Sequence, residues 1–276
     1  MSTILSDYFN AKLVEAGFPS GLQICYSLSY CQGDGMAFYG ALYARDWVRL
    51  FNEMNPKATL KVRRRFRFLA NHICLNEVDN IITIARNSFG YRYSHWNTME
   101  VRADLGQYFE FDGIRYKDRP VFIALWDEFI TDLKNYVQNT SKELERLGYR
   151  IIQSAWIDDD DALETINTPN YRVEFKVKPV HFYDYRSAED FGYESALQLC
   201  ADAMEGTKFV DLSASVISKS NDITMATRSL GFCVYDRQDK TYAGNKRYLV
   251  SEAIEEARLF AQQAVKNLQH LRPAMH

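Results

Sequence analysis

From Pro120 to Leu147 one apolar stripe runs unbroken: Phe122, Trp126, Phe129, Leu133, Tyr136, Val137, Thr140, Leu144 and Leu147. That spacing predicts a long helix, opened by a proline that the first turn tolerates. Gly148 stands where a left-handed C-cap would close it. A helix with one apolar face has to lay that face on another layer.

Strands are available for that layer. Leu22, Ile24, Tyr26, Leu28 and Tyr30 alternate with Gln23, Cys25, Ser27 and Ser29, the period of a half-buried strand. Gln32-Gly33-Asp34-Gly35 interrupts the pattern, and Met36 to Tyr43 follows as a second, apolar strand, which predicts a β-hairpin with a tight reversal at the glycines. Further strands are expected at Asn80 to Arg86, Trp96 to Arg102 and Tyr108 to Tyr116, the last with an Asp112-Gly113 hairpin signal. Between them, Val62, Phe66, Leu69 and Ile73 mark a helix over Leu60 to Asn76. A short acidic helix is expected from about Asp158, broken at Asn167-Thr168-Pro169-Asn170.

The remainder predicts a second, smaller unit. Tyr171, Val173, Phe175 and Val177 alternate as a strand, and Ser187-Ala188-Glu189-Asp190 opens a helix that Gly206 stops. Strands follow at Phe209 to Ile217 and near Ser229 to Tyr235. The final helix carries Val250, Ala253, Ile254, Ala257, Phe260, Ala261, Ala264, Val265 and Leu268 on one face. The expected fold is α+β, with antiparallel sheets, packed helices and two domains, 1–167 and 168–276. The length of 276 residues agrees with two domains at about 150 residues each.

Net charge is -3, from 33 basic and 36 acidic residues, which argues against a globally basic nucleic-acid binder but leaves single faces open. Cysteines at 25, 31, 74, 200 and 233 include no Cys-x-x-Cys pair, and Cys74 lies among apolar residues, so reduced thiols in a cytoplasmic protein are expected. The amino terminus lacks a signal-peptide pattern, and no run of about 18 apolar residues predicts a membrane span. Aromatic residues reach 14%, suiting a β-rich core or an interaction surface.

Three clusters are candidate sites. Gln32 and Asp34 at the turn, approached by His95, would supply a planar amide, a carboxylate and an imidazole for small-molecule binding or acid–base work; the plainer reading is a hairpin turn and a histidine satisfied among tyrosines. Lys57, Lys61, Arg63, Arg64, Arg65 and Arg67 form a basic segment. On a helix, Arg63, Arg64 and Arg67 share a face able to grip phosphates or a partner's carboxylates, or simply solvated. Asp158, Asp159 and Asp160, with Asp161 and Glu164, suit a helix start or an acidic contact for a basic partner. They lack the alternation and glycine of a calcium loop, so neither a metal nor a cofactor is expected. No Gly-x-Ser-x-Gly elbow is present, and a Cys31 nucleophile would need Asp34 and His95 nearby.

Tyr30-Cys31-Gln32-Gly33-Asp34-Gly35-Met36-Ala37-Phe38 resembles a Ser/Cys-Gln-Gly-Asp-Gly-x-x-Phe motif of small uncharacterised proteins from bacteriophages and other mobile elements. Those proteins also carry a Tyr/His-rich stretch, similar to Tyr91-Arg92-Tyr93-Ser94-His95, and a late helix with an acidic segment, similar to Leu133 to Glu164. Ser229-Leu230-Gly231 and Tyr248-Leu249 are weakly similar to a second phage-type module. The resemblance implies an accessory protein in the bacterial host's cytoplasm that binds a host protein, plausibly as an inhibitor of a defence system. It carries over no catalytic residue. A homo-oligomer is compatible with the aromatic content.

Overall fold

The structure, a computed structural model, describes residues 3–31, 33–75, 81–86, 99–103, 110–111, 113–155, 157, 163–180, 182 and 192–271. The elements in chain order are α1 (Ile4–Glu15), β1 (Gln23–Ser27), β2 (Gly35–Leu42), α2 (Ala44–Met54), α3 (Leu60–His72), β3 (Ile73–Cys74), β4 (Ile82–Arg86), β5 (Met99–Ala103) and β6 (Glu110–Phe111). They continue with α4 (Arg119–Ser154), β7 (Leu163–Asn167), β8 (Tyr171–Pro179), α5 (Tyr193–Met204), β9 (Phe209–Ser218), β10 (Thr224–Val234) and α6 (Asn245–Leu271). The fold is α+β, with two four-stranded antiparallel sheets among the described residues, ordered β1-β2-β4-β5 and β10-β9-β8-β7.

The chain groups into two compact units: Met1–Tyr149 with Arg186–Leu197, and Arg150–Tyr185 with Gln198–His276. In the first unit the long stripe does what its spacing demands. Trp126, Phe129, Leu133, Val137 and Leu144 are buried. Trp126 meets Trp47 of α2 edge-on at 5.5 Å, Phe129 meets Phe66 of α3 at 4.7 Å, and Ser141 Oγ donates to the Met36 carbonyl of β2. The same helix is therefore fastened to both helical neighbours and to the sheet.

Gly148 is not a C-cap. α4 runs through it to Ser154, and a Cβ there would come within 2.5 Å of Leu28 Cδ1 and 2.9 Å of Phe9 Cζ. The glycine serves close packing, which sequence spacing cannot distinguish from a stop. α1 and α2, absent from the sequence reading, bury Ile4, Leu5, Tyr8, Phe9 and Leu13, and Trp47, Leu50 and Phe51. α3 ends at His72 rather than Asn76, because Ile73 has turned into strand β3. β3 takes β6 as its partner, and the chain after Gly113 passes through a 3-10 turn at Tyr116–Asp118 into α4, so no second strand follows Gly113 among the described residues; Asp112, the first residue of the expected hairpin turn, lies outside them.

In the second unit β8 alternates as expected, with Val173, Phe175 and Val177 buried against Val210, Leu212 and Ala214 of β9 and Ala253 and Ala257 of α6. Leu163–Asn167 is not helical but an exposed edge strand, and Thr168 to Asn170 turn it into β8. Thr168 Oγ1 fastens that turn by accepting from the Tyr171 amide at 3.1 Å. A bulge in β10 follows Ser229-Leu230-Gly231: Phe232 takes φ +53°, and its amide donates to Asp211 Oδ1.

Candidate functional site

Ser27 pairs with Gly35, so the β1–β2 connection is a seven-residue loop rather than the expected tight reversal. Asp34 organises it. Only 4% exposed, its carboxylate accepts, among the described residues, from Ser27 Oγ on Oδ1 at 2.7 Å and from the Ser29 amide, the Cys31 amide and Tyr149 Oη on Oδ2 at 2.7, 2.9 and 2.7 Å. The Tyr30 ring lies 4.8 Å from that of Tyr149, with Tyr30 at φ +59°. A carboxylate can hold such a left-handed, non-glycine residue because its oxygens capture the amides on either side of it.

Burial pulls the Asp34 carboxyl upward, but the bonds from Tyr149, Ser27, Cys31 and Ser29 outweigh it and hold the group below the ordinary carboxylate range. Tyr149 moves the other way: burial, the bond it donates to Asp34 and that residue's charge raise the phenol well above its usual value. Asp34 is thus an ionised clamp whose oxygens already serve the loop. Gln32 and His95, the residues expected to join it, lie outside the described residues, as do Asp158, Asp159 and Asp160. Among the described residues no group of His, Cys, Asp and Glu could hold a metal, and no helix is long and apolar enough to cross a membrane.

The basic segment folds differently from a uniform cationic face. Thr59 Oγ1 caps α3 by accepting from the Val62 amide, while Phe66 and Leu69 turn inward. Arg63 bends back over the α2–α3 connection. Its Nε donates to the Ala58 carbonyl at 3.1 Å, and its Nη2 to the Pro56 and Asn55 carbonyls at 2.7 and 3.3 Å. These bonds fix the guanidinium in place and leave Nη1 uncommitted. Arg64 and Arg67 are exposed and form neither hydrogen bonds nor ion pairs among the described residues.

All three arginines line one groove of about 360 Å³ with Val48, Asn52 and Leu60. Asn52 Oδ1 itself is closed off from solvent and has no hydrogen-bond partner among the described residues. Among the described residues no carboxylate lines the groove. Arg45 and Arg49, on α2, are instead directed to Asp46 at 3.9 and 3.5 Å. The structure therefore brings Arg63, Arg64 and Arg67 together as expected from their spacing, and adds Asn52, Val48 and Leu60. Nothing in the sequence pairs those positions with α3, because the α2–α3 crossing that joins them is a packing decision.

A second surface also departs from the sequence reading. The first half of α6 packs on its sheet through Leu249, Ala253 and Ala257, with Val250 and Ile254 beside them. Past Arg258 the same apolar face is uncovered at its large residues: Phe260, Val265 and Leu268 are 52 to 65% exposed. No family model matches the chain, and no curated protein and no solved structure is significantly similar to it.

Proposed function

We propose that the protein binds nucleic acid through the phosphate backbone, with α3 as the contact. The observation that carries this reading is that, among the described residues, no acidic side chain pairs with this basic segment. Lys57, Lys61, Arg63, Arg64, Arg65 and Arg67 form no ion pair among the described residues, and α3 contains no acidic residue. Like charges three and four residues apart on a helix cost stability, which neighbouring acids usually offset. An external polyanion supplies that offset here and releases counterions as it binds. Fluorescence anisotropy of labelled single- and double-stranded oligonucleotides across a salt series tests it. Binding that weakens steeply with salt supports the reading; no binding at low salt removes it.

A second reading is that the protein binds a host protein, as the phage-type resemblance implies for an accessory protein working in the bacterial cytoplasm, plausibly against a defence system. The exposed apolar end of α6 favours it, since an uncovered patch of large apolar side chains marks an interaction surface. Affinity capture by wild type beside Phe260→Asp and Leu268→Asp variants tests it. A captured protein lost specifically in both variants supports this reading, whereas sedimentation as a homodimer would assign the same face to self-association. A small-molecule role for Gln32, Asp34 and His95 draws less support, because the Asp34 carboxylate is already engaged by its own loop.

A further inference from the structure

We infer that the α2–α3 groove is a binding site for a phosphate monoester of nucleotide size, whose dianionic phosphate sits among Arg63, Arg64 and Arg67. The inference deepens the polyanion reading of α3 and rests on it. Its volume of about 360 Å³ lies within the usual range of small-ligand sites, roughly 300–1,000 Å³. Charge selects the phosphate. Three guanidinium groups line one cavity that no carboxylate lines among the described residues, and Arg64 and Arg67 have no partner among them.

Rigidity strengthens that choice. Three backbone carbonyls hold the Arg63 guanidinium before any ligand arrives, so its free Nη1 donors are presented with little left to order. A planar fork of donors suits phosphate oxygens. The monoester is favoured over the backbone diester on two counts. It carries about -1.5 to -2 charges at neutral pH and three terminal oxygens, whereas a diester offers one charge and two free oxygens. It also has a single substituent, so one end of a molecule can enter a bounded groove where a through-going strand must leave on both sides.

The remaining walls match an organic body. Val48 and the outward Leu60 supply apolar surface, and the Asn52 side chain completes the lining beside them. A free nucleotide and the terminal phosphate of a strand share this chemistry.

Four probes separate them: adenosine 5′-monophosphate, adenosine, and one oligonucleotide with either a 5′-phosphate or a 5′-hydroxyl, each titrated calorimetrically at fixed salt. Adenosine 5′-monophosphate is expected to bind and adenosine not to. The 5′-phosphorylated strand is expected to bind about tenfold tighter than its 5′-hydroxyl twin, as a charge-assisted contact would give. Arg67→Ala and Arg64→Ala, both at exposed positions, should each erase that difference, and so should lowering the pH below about 6, where the monoester loses its second charge. Equal binding of the two strands, with no binding of the nucleotide, overturns the monoester site while leaving backbone binding intact. Nucleotide binding with neither strand bound keeps the site and removes the nucleic-acid reading. No binding of any probe overturns both.

Discussion

Tyr149 donates its phenolic hydrogen to Asp34 Oδ2 at 2.7 Å, tying α4 to the β1–β2 loop across 115 residues of sequence. A hydrogen bond to a charged, buried acceptor contributes about 1.5–3 kcal/mol. Tyr149→Phe is therefore expected to lower the unfolding free energy by about that amount. Asp34→Asn should cost at least as much, since it turns amide hydrogens toward donors already in place. Urea denaturation checks both, as a shift in midpoint at constant slope.

Acid should loosen the same loop. Asp34 titrates below its ordinary value, held there by its hydrogen bonds against the upward pull of burial. Asp239, in the turn before α6, is also lowered, first by the bond from Thr241 Oγ1 and then by the amides of Ala243 and Thr241. A group depressed by folding contributes stability that is complete above its unfolded pKa, about 3.9 for aspartate, and lost as pH falls through the lower folded value. Thermal stability should thus fall steepest below about pH 4. The fall should be shallower in Asp34→Asn, which has no carboxyl to protonate.

The three arginines of the groove should separate into two classes. Arg64→Glu and Arg67→Glu leave folding nearly unchanged, because neither side chain is engaged. They should reduce oligonucleotide affinity and flatten its logarithmic salt slope by about 0.9 for each duplex phosphate no longer neutralised. Arg63→Ala frees the Asn55, Pro56 and Ala58 carbonyls and should cost about 1–2 kcal/mol of stability as well. Anisotropy and urea denaturation on the same variants distinguish the two effects.

Thiol reactivity should follow exposure. Cys25 and Cys31 are exposed, whereas burial pushes Cys200 up to about 12, and burial with the Asp211 charge pushes Cys233 up to about 11. Only the thiolate reacts. Peptide mapping after brief iodoacetamide treatment of the native protein at pH 8 should therefore show Cys25 and Cys31 modified ahead of Cys200 and Cys233.

Gly148→Ala should destabilise the protein although alanine is the better helix former. The propensity gain is about 1 kcal/mol, and overpacking costs about 1–3 kcal/mol. The added methyl meets Leu28 Cδ1 and Phe9 Cζ, the ends of two buried side chains, which must shift to admit it. A midpoint of unfolding above that of wild type would show that these side chains can move aside.

Local periodicity by itself determined the α4 stripe, the alternation of β1 and β8 and the shared face of Arg63, Arg64 and Arg67, because such patterns depend only on neighbours in sequence. It determined the α+β class for the same reason. It misread Gly148, since a glycine that ends a helix and one that admits a neighbour look alike until the neighbour is known. It misread the Gly-Asp-Gly run as a tight turn, because the partner that makes Asp34 a clamp is Tyr149, which no local signal connects to it. The end of α6 shows the converse: the apolar face is legible through Leu268, but how far the sheet beneath it extends is set by the packing of β8, β9 and β10. The groove belongs to the tertiary structure as well. Spacing gathered three cations on one helix, and only the crossing of α2 against α3 gave them an apolar wall at Val48 and the side chain of Asn52.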